Sequence, residues 1–382
     1  PFRSKIRPGM SIAITAGSRG IANVDLITRS IVDFVKARGA VPFIVPAMGS
    51  HGGATPEGQL EVLRSYNVTE ETMGCPIRAT METVYLGNTV EGSPVFQDKY
   101  AHEADGVILC GRIKAHTTFR GPYESGLLKM AVIGMGKQHG AESVHESGFI
   151  NMARVLPQFA RVIFDNTNIV AGVGILENAF DQTYKLAGLT PDEIWEKEPE
   201  LLKEAKSKMG RIWIENADVL VVDKIGKDLS GDGMDPNVSG RFVQPKYCSG
   251  GIQAEKVVIL DLTDETHGNA QGIGLAEVTT RRLFNKMKLE MTYPTGVTNT
   301  FLHLMKIPMI MDNDREALQL ALMCCPEAED QNNMKMIRIP NTAHIDYIEI
   351  SEGMLPLAKA NPNIEILSEP YDLAFDENGN LF

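Results

Sequence analysis

The feature that most constrains this chain is a repeated order of short apolar strand segments and helical patterns. Residues 11–16, 41–47 and 106–110 are apolar runs rich in β-branched side chains, as expected for buried strands. Between the first two, residues 25–39 carry apolar side chains at helical spacing and end at a glycine. Strand, helix and strand in this order form a βαβ unit with parallel neighbouring strands. The chain is therefore predicted to have an α/β fold with parallel sheets.

The length of 382 residues is enough for two domains, each with its own core. A charged stretch at residues 193–208 separates the first set of strand patterns from a second set. We place the domain boundary near Gly210. This division gives a cofactor-binding and catalytic domain over residues 1–210 and an α/β domain over residues 211–382. The charged stretch is predicted to be a solvated connecting helix, and the active site is expected in the crevice between the domains.

Composition excludes several classes of partner. A net charge of −12 argues against nucleic-acid binding, which needs a basic surplus to neutralise phosphates. No apolar run approaches the roughly 18 residues of a membrane span, and the first residues are too polar for a signal peptide. The five cysteines are too scattered for a disulfide framework or a zinc site. We expect a cytoplasmic protein with a small-molecule partner, and the sequence does not indicate its oligomeric state.

Three polar side chains follow predicted strands at the point where each strand ends. Arg19 comes after the first strand, His51 after the second and His116 after the strand at residues 106–110. Parallel strands of one sheet end at the same edge, where a ligand-binding crevice forms. We therefore expect Arg19, His51 and His116 to face one crevice.

The segment after residue 110 is the part of the sequence richest in nucleophiles and metal-ligand types. It is predicted to leave regular structure, and its candidate side chains are Lys114, His116, Lys129, Lys137, His139 and His145. A helix is predicted over residues 141–165, with Pro157 as a kink or break. His139 and His145 are six residues apart, which is about 600° of rotation on a helix. They would face different sides, so at most one of them is expected to serve the crevice.

The order of these motifs resembles that of the lactate racemase family, whose members use a nickel-pincer nucleotide. The matching segments are Gly17-Ser18-Arg19, Gly49-Ser50-His51, Lys114-Ala115-His116, Ser125-Gly126-Leu127-Leu128-Lys129, and then His145. The resemblance covers about the first 150 residues. In that family an interval of 16 residues separates the lysine from the later histidine, which selects His145 rather than His139.

The resemblance implies a role for each matching residue. His51 and His116 would be the two acid/base residues, and Arg19 would contact the substrate carboxylate. Lys129 would carry the pyridinium nucleotide through a thioamide bond, with Ser125 and Gly126 beside it. His145 would be the protein ligand of nickel. The implied activity is racemisation or epimerisation of a 2-hydroxy acid.

The sequence also departs from the family pattern. Ala16 and Gly20 stand where the family has aspartate and proline, and extra residues lie between His116 and Lys129. The second-domain Tyr-Gln-x-x-Lys segment is not recognisable. These departures indicate a substrate other than lactate, such as a sugar acid.

The chemistry accounts for the residue types. A C–H bond beside a carboxylate is too weak an acid for a histidine, whereas hydride transfer requires the base to take only the hydroxyl proton. The enzyme must remove the hydroxyl proton from either enantiomer, so two bases are needed. Histidine suits this role because it both accepts and donates protons near neutral pH. In the second domain, residues 224–237 follow a predicted strand. There Lys224 and Lys227 would either help to hold the substrate or belong to a solvated surface turn.

Two other functions fit the same residues. His51, His116 and His145 could bind zinc in a hydrolase, because three histidines and a water molecule form an accepted catalytic set. Alternatively, the chain could be a non-catalytic binding module for a small carboxylate or nucleotide, with Lys129 as a simple charge.

Overall fold

The computed structural model describes residues 5–18 and 20–382, without the side chains of residues 298 and 299. The chain divides into two compact units, residues 1–209 and residues 210–382. Each unit is a mixed α/β structure with a mainly parallel sheet. The predicted fold class is therefore confirmed.

The first unit contains seven strands and eight α-helices in its described part. The strands are β1 (Ser11–Ala16), β2 (Val41–Pro46), β3 (Thr83–Asn88), β4 (Pro94–Asp98), β5 (Gly106–Arg112), β6 (Ile169–Glu177) and β7 (Thr183–Leu189). The helices are α1 (Val24–Lys36), α2 (Pro56–Ser65), α3 (Glu70–Met73), α4 (Lys99–His102), α5 (Leu127–Lys129), α6 (Lys137–His145), α7 (Met152–Asn166) and α8 (Pro191–Lys208).

The main sheet of this unit has the strand order β2-β1-β5-β6-β7. β2, β1, β5 and β6 are parallel, and β7 is antiparallel at the edge. β1 and β2 are neighbours, as the βαβ pattern predicts, and β5 lies on the other side of β1. The weaker strand pattern near residue 84 is β3, which pairs with β4 in a separate antiparallel hairpin.

Helices cover both faces of the main sheet. Ala13 in β1 packs on one face in a core cluster that includes Phe159 of α7. Ile12 and Ile14 point to the other face, where Ile31 of α1 is buried with them. Alternate residues of a strand point to opposite faces, so a strand covered on both sides reads as a continuous apolar run. This is why the central strands were readable from the sequence.

Two predictions in this unit are wrong in part. The chain after β5 does not stay irregular, because residues 127–145 form α5, a π-helical turn at Met130–Gly134 and α6. The helix predicted over residues 141–165 is two helices, since the chain breaks at Gly148, which has a left-handed φ of 76°. Pro157 does not end α7 but lies inside it.

The second unit contains a six-stranded sheet in its described part. The strands are β8 (Asn216–Ile225), β9 (Gln253–Leu262), β10 (Val278–Thr280), β11 (Met309–Met311), β12 (Met336–Ile339) and β13 (Glu349–Ile350). The helices are α9 (Pro236–Ser239), α10 (Arg281–Lys286), α11 (Leu289–Asn299), α12 (Asp314–Met323) and α13 (Leu355–Ala360). The strand order is β11-β10-β9-β8-β12-β13, and only the edge strand β13 is antiparallel.

All five cysteines are free, and Cys324 is the exposed one. None of the helices in the described ranges combines the length and the apolar content that a membrane span requires.

Candidate functional site

The loops after β1 and β2 are joined by a hydrogen bond. β1 and β2 end side by side at Ala16 and Pro46, so the residues that follow them meet at one edge of the sheet. The hydroxyl of Ser18 and Nδ1 of His51 are hydrogen-bonded partners. Arg19 lies outside the described residues. The structure therefore brings His51 to the strand-end edge, together with the residue that precedes Arg19.

The buried side chain of Gln59 holds the backbone of the loop that contains His51. Nε2 of Gln59 donates to the carbonyl oxygens of Gly49 at 3.0 Å and His51 at 3.2 Å. Gly52 allows the close approach of α2, because a Cβ there would lie 2.7 Å from the backbone nitrogen of Gln59. The backbone of the loop is thus fixed, while the His51 side chain stays exposed.

Gln59 is held in turn by Lys137, which is completely buried. Nζ of Lys137 donates to Oε1 of Gln59 at 3.0 Å and to the carbonyl oxygen of Pro46. It also pairs with Oδ2 of Asp98 at 3.1 Å. Burial lowers the pKa of Lys137 and raises that of Asp98, and their mutual attraction opposes both shifts. With these partners, Lys137 acts as a structural support for the His51 loop.

His116 and Lys129 are in direct contact. Nε2 of His116 lies 2.7 Å from Nζ of Lys129, and Nδ1 accepts the backbone N–H of Thr118 at 3.0 Å. The imidazole also packs against the Phe119 ring, with 4.4 Å between the centroids. Burial, followed by the charge of Lys129, lowers the pKa of His116 well below 6.5. His116 is therefore a neutral imidazole at pH 7.

The loop between His116 and Lys129 is organised around the buried carboxylate of Glu124. This carboxylate accepts the backbone N–H groups of His116 at 2.8 Å and Gly121 at 3.1 Å. Lys206 of α8 pairs with it at 2.7 Å and Arg120 at 3.6 Å. The backbone of Lys114 pairs with Ser125 across the base of the loop. The extra residues in this region thus form an ordered loop that positions His116.

The start of the Lys129 helix is capped by Glu198 of α8. Oε2 of Glu198 accepts the backbone N–H groups of Leu127 at 3.1 Å and Leu128 at 3.2 Å. Glu198 is only 1% exposed, and burial raises its pKa to about 8 against the effect of these two bonds. The carboxyl group lies directly against Gly126. Ser125 and Gly126 therefore lead into a helix whose first turn is fixed from α8.

The prediction that α8 is a solvated connecting helix is wrong for this face. Glu198 and Lys206 both support the site loops. A signal was present in the sequence, because Glu198 lies on the buried stripe of α8, between Ile194 and Leu201 at helical spacing. A carboxyl group on an apolar stripe requires buried partners. The partners themselves, about 70 residues earlier, could not be read from α8 alone.

His145 ends α6 and lies near Lys129. Its ring stacks on that of Phe149, with 5.1 Å between the centroids. Burial lowers the pKa of His145, and a charge on Lys129 adds to this effect. His139 faces elsewhere, since its Nδ1 bonds to Thr83 at 3.1 Å. Of the two histidines of α6, His145 is therefore the one whose pKa responds to the charge of Lys129.

The three histidines are not assembled as a zinc site. Within the described ranges, no group of three or more His, Cys, Asp or Glu side chains could hold a metal ion. The structure therefore gives no support to a zinc hydrolase that uses His51, His116 and His145.

Lys224 and Lys227, the two candidate substrate-binding lysines of the second unit, contact different residues. Lys224 lies in β8 rather than in the following loop, and its Nζ is 5.7 Å from the centroid of the Phe382 ring. Lys227 follows the strand, and its Nζ donates to Oε1 of Gln271 at 2.9 Å. The backbone N–H of Lys227 donates to Thr266 at 3.1 Å.

The fold and the site define a class of protein: an α/β protein with histidines at parallel strand ends and a lysine held against one of them. Residues 2–155 match the lactate racemase N-terminal domain family. The first unit therefore contains a domain of the lactate racemase N-terminal type. This match supports a function of the racemase or epimerase type.

Solved structures share the fold at low sequence identity. The lactate racemase apoprotein from Thermoanaerobacterium thermosaccharolyticum is 15% identical, with a TM-score of 0.55, and the match covers 90% of this chain and 87% of that one. A Thermotoga maritima protein solved by the Northeast Structural Genomics Consortium is 12% identical, with a TM-score of 0.50 and coverage of 67% of each chain. A search of curated proteins finds no significant match.

Proposed function

We propose that this protein racemises or epimerises a 2-hydroxy acid with a nickel-pincer nucleotide attached to Lys129. The observation that carries the proposal is the contact of 2.7 Å between His116 and Lys129, with His145 beside them. This contact supports the proposed roles of His116 as an acid/base residue, Lys129 as the attachment point and His145 as the metal ligand. The substrate class follows from the family resemblance, and a sugar acid remains our preferred candidate.

The residues present fit such a cofactor. Lys129 lies at the end of the capped helix α5, directly before the π-helical turn, a feature that is frequent at functional sites. The lowered pKa of His145 keeps its imidazole neutral, as metal binding requires. Ser125 and Gly126 would lie beside the attached nucleotide. When bound, the cofactor would supply a hydride acceptor next to nickel.

The protein would supply binding and proton transfer. In the described geometry, Nε2 of His116 can donate a proton, because Nδ1 is occupied as an acceptor. For His116 to act as a base at Nε2, the Thr118 amide must first release Nδ1. His51, hydrogen-bonded to Ser18, is the second acid/base residue. Arg19 would bind the substrate carboxylate, and Lys224 or Lys227 would contact the rest of the substrate.

The test is an intact mass with elemental analysis, on protein produced together with the cofactor pathway. A nucleotide adduct on a Lys129 peptide, with nickel present, is expected. An adduct on Lys114 would contradict the assignment of Lys129. Zinc without an adduct would favour the hydrolase, and neither metal nor adduct would favour a binding module.

The His145→Ala variant tests the nickel ligand in the same experiment. It should lose nickel and keep the adduct on Lys129, because the metal and the covalent bond depend on different side chains. Retention of nickel would show that another residue is the ligand. His139→Ala is the matched control, since His139 faces Thr83.

A further inference from the structure

The chain leaves β5 as an extended segment with a buried side and an accessible side. Buried and partly exposed residues alternate from residue 111 to residue 116, and the partly exposed ones are Arg112, Lys114 and His116. The backbone of Lys114 pairs with Ser125 as in a β-sheet. Residues two apart in an extended chain point to the same side, with roughly 6–7 Å between them. Arg112, Lys114 and His116 therefore form one row on the accessible side.

Two cations near this row have carboxylate partners in the first unit. Arg112 forms an ion pair with Glu177, whose other oxygen accepts the backbone N–H of Ala22 at 2.8 Å. Lys206 pairs with Glu124 at 2.7 Å, and the Glu124 side chain is fully buried. Both carboxylates thus belong to contacts that hold the site loops together.

Three more cations belong to the same segment of the chain. They are Lys114, Arg120 and Lys129, and, in addition to burial, the charge of each one lowers the pKa of His116. Glu198 adds little negative charge at pH 7, because burial raises its pKa to about 8. The surroundings of His116 therefore carry more positive than negative charge, in a chain whose net charge is −12. A cofactor attached to Lys129 would remove one of these positive charges and leave those of Lys114 and Arg120.

Of these two cations, Lys114 is the one in the row beside His116. The guanidinium of Arg120 serves the loop itself: it donates to the carbonyl oxygens of His116 and Phe119 and lies 3.6 Å from Glu124. Lys114 has a flexible side chain whose ammonium group donates up to three hydrogen bonds. A substrate whose hydroxyl lies at His116 would extend its remaining carbons within reach of this group.

We infer that Lys114 binds a second carboxylate of the substrate, and that the substrate is a 2-hydroxy dicarboxylic acid such as a sugar diacid. The inference rests on the proposed function for the position of the substrate hydroxyl at His116. A short carbon chain spans the one row spacing that separates Lys114 from His116. The charged hydrogen bond from Nζ to a carboxylate is about twice as strong as a bond to a neutral group. The phosphate of a nucleotide cofactor is the alternative anion, and the experiment separates the two.

The experiment compares matched acids by titration calorimetry on the full-length chain produced without the cofactor pathway. The two acids of a pair have the same number of carbons, and only one of them has a second carboxylate. The pairs are malate with 2-hydroxybutyrate, 2-hydroxyglutarate with 2-hydroxyvalerate, and glucarate with gluconate. At least one diacid should bind about tenfold more tightly than its partner, as one charged hydrogen bond predicts. Equal affinities within all three pairs, or no binding of any diacid, would overturn the inference.

The Lys114→Gln variant isolates the contribution of this cation. The ratio of diacid to monoacid affinity should fall about tenfold, because the amide is uncharged. Lys114→Arg keeps the positive charge and should retain the ratio. Lys203→Gln is the matched control, since the Lys203 side chain is 74% exposed. An unchanged ratio in Lys114→Gln would overturn the inference even if the wild type prefers a diacid. If Lys114→Gln does not fold, the wild-type comparison of the three pairs decides.

The same titrations on the chain produced with the cofactor pathway identify the anion. A diacid preference that persists after loading supports the second carboxylate. A preference that disappears after loading would assign Lys114 to the nucleotide phosphate and overturn the inference.

The inference and the proposed function can fail separately. A diacid preference that depends on Lys114, in a chain that never acquires nickel or nucleotide, would reject only the racemase function. A nickel-loaded chain without a diacid preference would reject only the second carboxylate.

Discussion

An ideal Cβ at Gly126 would lie 2.0 Å from Oε1 of Glu198. The φ of Gly126 is 177°, an extended value that any residue adopts, so it is space and not backbone conformation that requires glycine. The start of α5 and the buried face of α8 therefore meet at a point where only a hydrogen atom fits. Lys129 lies three residues after Gly126, at the end of α5.

Gly126→Ala should destabilise the first unit and displace Lys129. Either Glu198 or the start of α5 must shift, and overpacking of this kind costs about 1–3 kcal/mol of unfolding free energy. Denaturant unfolding of the single variants and of Gly126→Ala/Glu198→Ala gives a double-mutant cycle. Gly126→Ala should lower the free energy of unfolding clearly less in the Glu198→Ala background than in the wild type. Equal costs in both backgrounds would refute the steric explanation.

Glu198 should make the protein less stable as the pH rises. Its pKa is about 8 in the folded chain, against an ordinary value of 4.5, so folding takes up a proton between these values. The contribution is fully present below about pH 4.5 and is lost as the pH rises through about 8. Its slope is at most about 1.4 kcal/mol per pH unit.

Glu198→Gln should remove that slope. The amide oxygen can still accept the N–H groups of Leu127 and Leu128, and the side chain cannot ionise. Unfolding free energies at pH 5 and pH 8 should therefore differ less in the variant than in the wild type. If the two pH dependences coincide, Glu198 is not the titrating group.

Lys137→Met should destabilise the protein and loosen the His51 loop. Asp98 would lose its ionic partner and Gln59 its donor, and breaking a buried ion pair from one side costs about 3–5 kcal/mol. Hydrogen exchange at residues 49–53 should become faster. Lys203→Met, on the exposed face of α8, is the matched control and should change stability by less than about 0.5 kcal/mol.

The double variant Asp98→Asn/Lys137→Met separates the effect of the unpaired Asp98 charge from the effect of the lost hydrogen bond to Gln59. Removing both charges should recover part of the stability, because no buried ion is left unpaired. The loop should remain loose, since Gln59 still lacks its donor. Slow exchange at residues 49–53 in either variant would show that Lys137 does not support the loop.

Removal of either acid/base histidine should block interconversion of the two enantiomers. Each turnover needs one group to take the hydroxyl proton and another to return it on the opposite side. His51→Ala and His116→Ala should, however, retain opposite preferences in single-turnover formation of keto acid from each enantiomer. The same residual preference in both variants would exclude the two-base assignment.

The sequence predicts an element where the side chains of that element themselves carry its pattern. The continuous apolar runs of β1, β2 and β5 identified the central strands, and the adjacency of these strands brought the loops of His51 and His116 to one edge. The helix that starts after Thr190 was also predictable, because the capping box is local.

Long-range contacts and short elements were not readable. Glu198 caps a helix about 70 residues away, and Lys137 supports a loop about 80 residues away, through bonds that leave no periodic pattern. In the second unit, the short strand β10 is followed directly by α10. A three-residue strand that continues into a helix cannot be distinguished by periodicity.

Lys137 has a left-handed φ of 55°, so the chain between Lys129 and His145 is not one continuous helix. In one continuous helix, Lys129 and His145 would be about 24 Å apart and on nearly opposite faces. The π-helical turn and the left-handed φ of Lys137 interrupt such a helix, and His145 lies close enough to Lys129 for its charge to lower the pKa of His145. One inserted residue in α6 would swing the imidazole by about 100°. The number of residues between Lys129 and His145 therefore determines whether the imidazole can face Lys129.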